Sequence, residues 1–277
     1  MDASKQGILT WFNQILPALL PFTILSGILL RSRYMENLGK NSNLASIILT
    51  LACGFIFGFP VGAKLSADFY SRSLLSEKQA TILCITANNF SSMYVCGYVL
   101  PTLFPDSNYK LPTYLMLYLL PLVIAVVLLL CTRKNSTEPT HKKTASRFHL
   151  DMQIIDAGII SGFEALIKIC GYIVLFSLIS RMFCAFIKTD ALLPLLLLEN
   201  LEITNGISML SAESTLLEQS KYLIAMQLLS FGGISGLAQT ASILKPSGLS
   251  VMDYVKGKLA LSLLTLFLTF CLNIYNG

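Results

Sequence analysis

The chain has 277 residues, 54% of them hydrophobic and only 13% charged, and its mean hydropathy is +0.67. Soluble domains carry about 25% charged residues, so the composition excludes a soluble globule and describes a polytopic, all-α membrane protein. The formal net charge of +5 then bears on orientation in the bilayer, not on nucleic acid.

In chain order, residues 8–30 form the first long apolar segment. It is longer than the roughly 7–15 residues of a signal-peptide core, and no small-residue cleavage site follows, so it is expected to stay as a membrane helix. Trp11 is placed as an interfacial anchor, and Pro17 and Pro21 are expected to kink the segment. After a loop with Arg31, Arg33 and Lys40 comes the apolar run 44–59. At a rise of 1.5 Å per residue it spans about 24 Å, short of a hydrocarbon core of about 30 Å. It runs into Gly58-Phe59-Pro60-Val61-Gly62-Ala63-Lys64, the stretch around which the chain is organised. A helix broken at membrane depth leaves backbone groups that must find partners in protein or in a cavity. Either the break lies at that depth, or Gly58 and Pro60 close the helix at the water boundary.

Residues 65–79, with Asp68, Arg72, Glu77 and Lys78, read as an amphipathic helix and turn. Residues 80–103 are apolar but interrupted at Asn88-Asn89-Phe90-Ser91-Ser92, and 111–131 is a clean span. Residues 132–150 form the one long hydrophilic stretch, with Arg133, Lys134, Lys142, Lys143 and Arg147. The domain reading is therefore a first membrane repeat at 1–131, a cytoplasmic basic linker at 132–153 and a second membrane repeat at 154–277. In the second half, a long helix over 154–187 carries Glu164 and Lys168, a favourable i,i+4 pair. A very short apolar run with Pro194, 192–198, breaks into Glu199-Asn200-Leu201-Glu202-Ile203-Thr204-Asn205-Gly206. Residues 222–244 are interrupted at Ser230-Phe231-Gly232-Gly233-Ile234-Ser235-Gly236, and 258–274 is the final span.

The halves match at a constant offset of 144 residues: Gly62 with Gly206, Asn89 with Gly233, Ser91 with Ser235, Gly27 with Gly171. Short, interrupted segments at corresponding places in two halves point to a transporter binding site. If the short segments are re-entrant, the second half is inverted; the loops 31–43, 61–79, 132–150 and 245–258, the last counting Lys245, Lys256 and Lys258, then put 14 Lys/Arg inside against 5 outside. If they cross fully, the distribution is 10 to 9. The positive-inside rule prefers the first arrangement.

Several residue sets carry candidate chemistry. Lys64 and Asp68 share a helical face, as a solvated surface pair or as a pair lining the re-entrant cavity. Asn88 and Asn89 sit mid-segment, where an unpaired amide is costly; they tie helices together or face a ligand. Glu199 and Glu202 follow a run too short to span, and carboxylates at membrane depth are functional candidates for a cation or a proton. Glu202 and Asn205 extend that polar face. Gly232 and Gly236 form a small-xxx-small pair, for close helix packing or for an unwound segment that exposes backbone beside Gly233, Ser235 and Gln239. The motif Gly58–Lys64 is not a phosphate loop, because three residues separate its glycines and Leu65 follows the lysine. The seven cysteines are scattered without a C-x-x-C, and His141 and His149 lie in the central loop, so no disulfide framework, metal site or cofactor is expected. No nucleophile or metal constellation appears, and no enzyme is expected.

The set Gly58-Phe-Pro-Val-Gly-Ala-Lys-Leu-Ser-Ala-Asp68, Ser76-Glu77 and Asn88-Asn89 resembles the sporulation integral membrane protein YlbJ family. The second-half set Glu202-Ile-Thr-Asn-Gly206, Ser230-Phe-Gly-Gly-Ile-Ser235 and Gln239 resembles it too, and together the sets cover most of the chain. The resemblance implies a nucleoside-recognition, or Gate, domain, as in spore maturation proteins, concentrative nucleoside transporters and ferrous iron transporters. It implies a multi-pass protein of the inner (cytoplasmic) membrane of an endospore former, required for spore envelope formation, cortex or coat. In the family the asparagine motif often continues through Gly and Pro; here Phe90-Ser91-Ser92 follows, which predicts a straighter helix.

The expected architecture is two inverted repeats with re-entrant or broken helices in a lipid bilayer. Gly58, Pro60, Gly62, Lys64, Asn88 and Asn89 are expected to face Glu199, Glu202, Asn205, Gly232, Gly233, Ser235 and Gln239 across a central cavity. The expected ligands are a small polar or nucleoside-like solute and a coupling cation, and the chain is a candidate homo-oligomer. The alternative is a non-transporting scaffold that recruits sporulation partners through its basic central loop.

Overall fold

A computed structural model describes residues 5, 7–9, 11–32, 43–105, 109–132, 151–186 and 200–276. Among these the structure is helical, with no strand. A π-helical turn, Trp11–Ile15, leads into α1, Leu16–Arg31, which carries Pro21 inside it. α2 is Asn43–Phe57, α3 is Val61–Ser71 and α4 is Glu77–Ala87. α5 covers 92–103 and includes a π-helical turn at Val95–Val99. α6 covers Lys110–Thr132, and α7 is Met152–Phe186. α8 is Ile203–Ala212, α9 Glu218–Phe231, α10 Gly233–Leu244 and α11 Val251–Asn276.

Among the described residues four stretches are long and apolar enough to cross a membrane: Lys110–Thr132, Met152–Phe183, Glu218–Ser247 and Val251–Leu272. Their outer faces present exposed Leu, Ile, Val and Phe, among them Leu130, Ile160, Ile167, Leu263 and Phe267. In water such faces would be costly, and in hydrocarbon they are the favoured surface. Trp11, expected as an interfacial anchor, is instead turned inward and donates its indole N–H to the Leu166 carbonyl at 3.0 Å. α1 lies along α7 and approaches it through small residues, with Gly27 against Gly158 and Gly162 against Ile24.

The run 44–59 is the short broken helix that its length predicts. α2 stops at Phe57, and Gly58 takes a left-handed conformation at φ +72° that L residues adopt only with strain. The Phe59-Pro60 peptide is cis. The turn from α3 to α4 is held by a capping box: the Ser76 hydroxyl accepts from Gln79 N–H, and the Gln79 side chain accepts from Ser76 N–H. Asn43, at the start of α2, bonds both Gln79 and the Leu74 carbonyl, so the hairpin tip is tied to the first turn of its own entry helix.

The expected straighter helix at Phe90-Ser91 is not found. The chain unwinds over residues 88–91 without glycine or proline. Asn89 folds its Nδ2 back on the Thr86 carbonyl at 2.6 Å, and Ser91 caps the next helix by accepting from Tyr94 N–H. Polar side chains thus supply the partners that the broken helix loses, and a Gly-Pro pair is not required.

Two apolar cores divide the molecule. One gathers Val61, Leu65 and Phe69 of α3 and Leu83 of α4 with Ala125 of α6, Leu244 of α10 and Tyr254 of α11. The other gathers Tyr94, Val95 and Val99 of α5 with Ile207 and Leu210 of α8 and Tyr222, Met226 and Leu229 of α9. The α3–α4 hairpin therefore packs on late elements of the chain, and the α8–α9 hairpin packs on an early one.

Candidate functional site

Two pairs of helix breaks meet near the middle of the molecule. In the first half, Phe59 N–H donates to the Asn89 carbonyl at 2.7 Å, so the break after α2 is bonded to the break after α4. In the second half, Ile234 N–H donates to Asn200 O at 2.8 Å and Ser235 N–H to Leu201 O at 2.9 Å. The break between α9 and α10 is thereby bonded to the segment entering α8. Each crossing satisfies backbone groups that hydrocarbon would leave bare.

At the first crossing two stretches of backbone lie in close contact. A Cβ on Gly62 would stand 2.6 Å from the Ala87 carbonyl carbon, and one on Gly58 would stand 2.8 Å from Ser91 Cα. Its asparagines bind across the molecule. Asn88 Nδ2 donates to Thr240 Oγ1 at 3.1 Å and to Tyr254 OH at 3.2 Å. Lys258 reaches in from α11 and donates from Nζ to the Asn88 carbonyl and to Asn89 Oδ1, both at 2.8 Å. Gly257, the residue before it, sits against the Ile85 side chain and brings α11 close to α4.

The second crossing is open. Gly232 turns the chain at φ +89°, and among the described residues a Cβ on either Gly232 or Gly236 would meet nothing within 4 Å. These glycines border a cavity of about 50 Å³, room for a few water molecules, with Phe59, Phe90, Tyr94, Ser235 and Gln239 also on its wall. Glu202 lines the same cavity, 3% exposed, and its carboxylate caps α8 by accepting from Thr204 N–H at 3.1 Å and Asn205 N–H at 2.8 Å. A smaller cavity adjoins it, sharing Phe59, Phe90, Gly232 and Gly236 and reaching Asn88, Asn89 and Lys258. Gln239 and Ile169 border both the first cavity and a wider opening of about 390 Å³. That opening carries Lys64, Asp68, Glu164 and Lys168.

The predicted site residues thus fall into separate groups. Glu202, Gly232, Ser235 and Gln239 converge on the central cavity, and Asn88 and Asn89 on the smaller one beside it. Pro60 and Lys64 line the wide opening with Asp68. Gly58 and Gly62 carry the close approach of α2 and α3 to α4. Gly233 lies against the Asn200 and Leu201 carbonyls. Asn205 turns to α7, where its Nδ2 donates to Ser177 Oγ at 2.6 Å. Glu199 lies outside the described residues. Among the described residues no helix packs closely against Gly232 or Gly236.

Lys258 is the residue that the sequence reading misplaces. Taken there as a loop cation at the edge of the final span, it is 2% exposed and lies within α11. Its signal is the stripe Tyr254, Lys258, Ser262, Thr265 and Thr269, polar groups at helical spacing that are all buried. Phe59, Phe90 and Tyr94 were also missed as cavity walls. Phe90 stacks on Tyr94 with ring centroids 5.1 Å apart, and Phe59 lies tilted to Phe90 at 6.3 Å.

No protein-family model matches the chain, and no solved structure matches it. Among curated proteins it is similar to the sporulation integral membrane protein YlbJ of Bacillus subtilis (strain 168). The two are 26% identical over 304 aligned positions, which take in 93% of this chain and 74% of the relative. Over nearly its whole length, then, the chain is similar to a sporulation integral membrane protein.

Proposed function

We propose that this integral membrane protein acts in sporulation as a carrier, moving a small polar or nucleoside-like solute across the cytoplasmic membrane system of a spore-forming bacterium during envelope formation. The observation that carries the reading is the pairing of a buried carboxylate, Glu202, with two side-chain-free glycines, Gly232 and Gly236, on one cavity at a helix break. Buried charge and unfilled space are both costly in a membrane protein, and both are expected where a ligand supplies the missing contacts. The wide opening bordered by Gln239 is the natural way in. Its mouth carries both signs of charge, Lys64 and Lys168 with Asp68 and Glu164, which suits a polar solute of mixed character. The cavity is too small for such a solute in this conformation, so its walls must part to admit it, Gln239 and Ile169 among them where it meets the opening. That is the gating step of a carrier built on broken helices.

The test is uptake into proteoliposomes containing the purified protein, with nucleosides and small polar solutes offered as a panel. Activity for one solute class that is lost in Glu202→Gln and in Gly236→Val, both still folded, supports the carrier. A folded Gly236→Val that sporulates as well as the parent sinks it and favours the scaffold, whose work does not pass through the cavity.

A further inference from the structure

A buried ammonium needs either a carboxylate or a full set of oxygen acceptors. Among the described residues no carboxylate pairs with Lys258; its Nζ donates to the Asn88 carbonyl and to Asn89 Oδ1. Asn88 is the C-cap of α4, so that carbonyl belongs to the negative end of the helix dipole. Asn89 is fixed from its other side, with Nδ2 on the Thr86 carbonyl. The amide oxygen is thereby presented to Nζ and not its NH2 group. Tyr254 OH and Thr240 Oγ1 close the region by accepting from Asn88 Nδ2. A main-chain carbonyl at a helix break, an oriented amide oxygen and a helix C-terminus are the donor set that hard monovalent cations take at broken membrane helices.

We propose that the Lys258 ammonium is a tethered monovalent cation, seated in an oxygen site built by the C-terminal end of α4 and Asn89, and that it locks the first crossing to α11. The site belongs to the resting structure and does not depend on solute movement. If the carrier reading also holds, this lysine stands where a coupling cation would sit, and transport needs no sodium at that position.

The experiment is thermal unfolding of the purified protein in detergent, with sodium chloride and choline chloride compared at equal ionic strength. The parent protein is expected to show the same Tm in both. Lys258→Ala empties the space and leaves the oxygens, so its Tm should fall and then rise saturably with sodium but not with choline. Lys258→Met fills the space with an apolar chain and should fall without rescue. Asn89→Asp gives up the bond to the Thr86 carbonyl, and should lower Tm much less when Lys258 is present than in the Lys258→Met background. The proposal is overturned if a folded Lys258→Ala responds identically to sodium and choline. Should Lys258→Ala not fold, the aspartate pair decides: an equal loss of Tm with and without Lys258 ends the proposal. An uptake assay that fails leaves this result untouched, so the two readings fail separately.

Discussion

At the first crossing a Cβ on Gly62 would press into the Ala87 backbone, whereas at the second a Cβ on Gly236 would meet none of the described residues within 4 Å. Both glycines follow a break in a membrane helix, and both sit beside polar residues that hydrocarbon would reject. In the first, the absent side chain lets two backbones touch, and the asparagines are consumed in ties to Thr240, Tyr254 and Lys258. In the second, the absent side chain leaves room, and Glu202 and Ser235 border that room. Similar breaks therefore serve two ends, a rigid seat and an unfilled cavity. The difference lies in what the neighbouring helix brings to each.

That contrast is easiest to break by filling the glycines. Gly62→Val forces a branched side chain into the Ala87 backbone and is expected to cost about 3 kcal/mol, the upper end for overpacking. The measure is the fraction that stays monodisperse after heating. Asn88→Ala comes next. It strips the amide from Thr240, Tyr254 and the Ala63 N–H, 3.4 Å from Asn88 Oδ1, and should lower stability by about 1–3 kcal/mol. Glu202→Gln keeps an oxygen for only one of the Thr204 and Asn205 amides, turns an NH2 group toward the other and loses the charge. A stability loss of about 1 kcal/mol is expected, with a much larger loss of uptake. Gly236→Ala is the sharpest test of the comparison, because it should be neutral or stabilising by up to about 1 kcal/mol through helix propensity while narrowing the cavity and slowing uptake. If it destabilises as Gly62→Val is expected to, the second crossing is packed after all. Lys64→Ala, in the wide opening, should change stability by no more than about 0.5 kcal/mol.

Much of this was legible in the chain. The short run ending at Gly58, the interruptions at Asn88 and Gly232 and the long helix from residue 152 all follow from length, hydropathy and backbone breakers. The reading of Phe90-Ser91 as a straighter helix failed for a local reason. Glycine and proline are not the only way to end a helix when Asn89 and Ser91 can bond the backbone themselves. The reading of Lys258 as a loop cation failed for a distant one. Beside Lys256, a lysine at the start of an apolar run reads as a water-facing end, and its partner Asn89 lies 169 residues away.

The sequence by itself determined that this is a membrane protein, where its helices lie and where they break. Hydrophobicity, helix length and backbone conformation are local quantities, and the bilayer enforces them. Only the tertiary structure decided which break is sealed and which stays open, which asparagine binds which helix, and that a lysine in the last span sits at the carbonyl end of α4. Those outcomes depend on which surfaces meet across more than a hundred residues, and a small residue carries the same letter whether a neighbour's backbone or an empty cavity lies beside it.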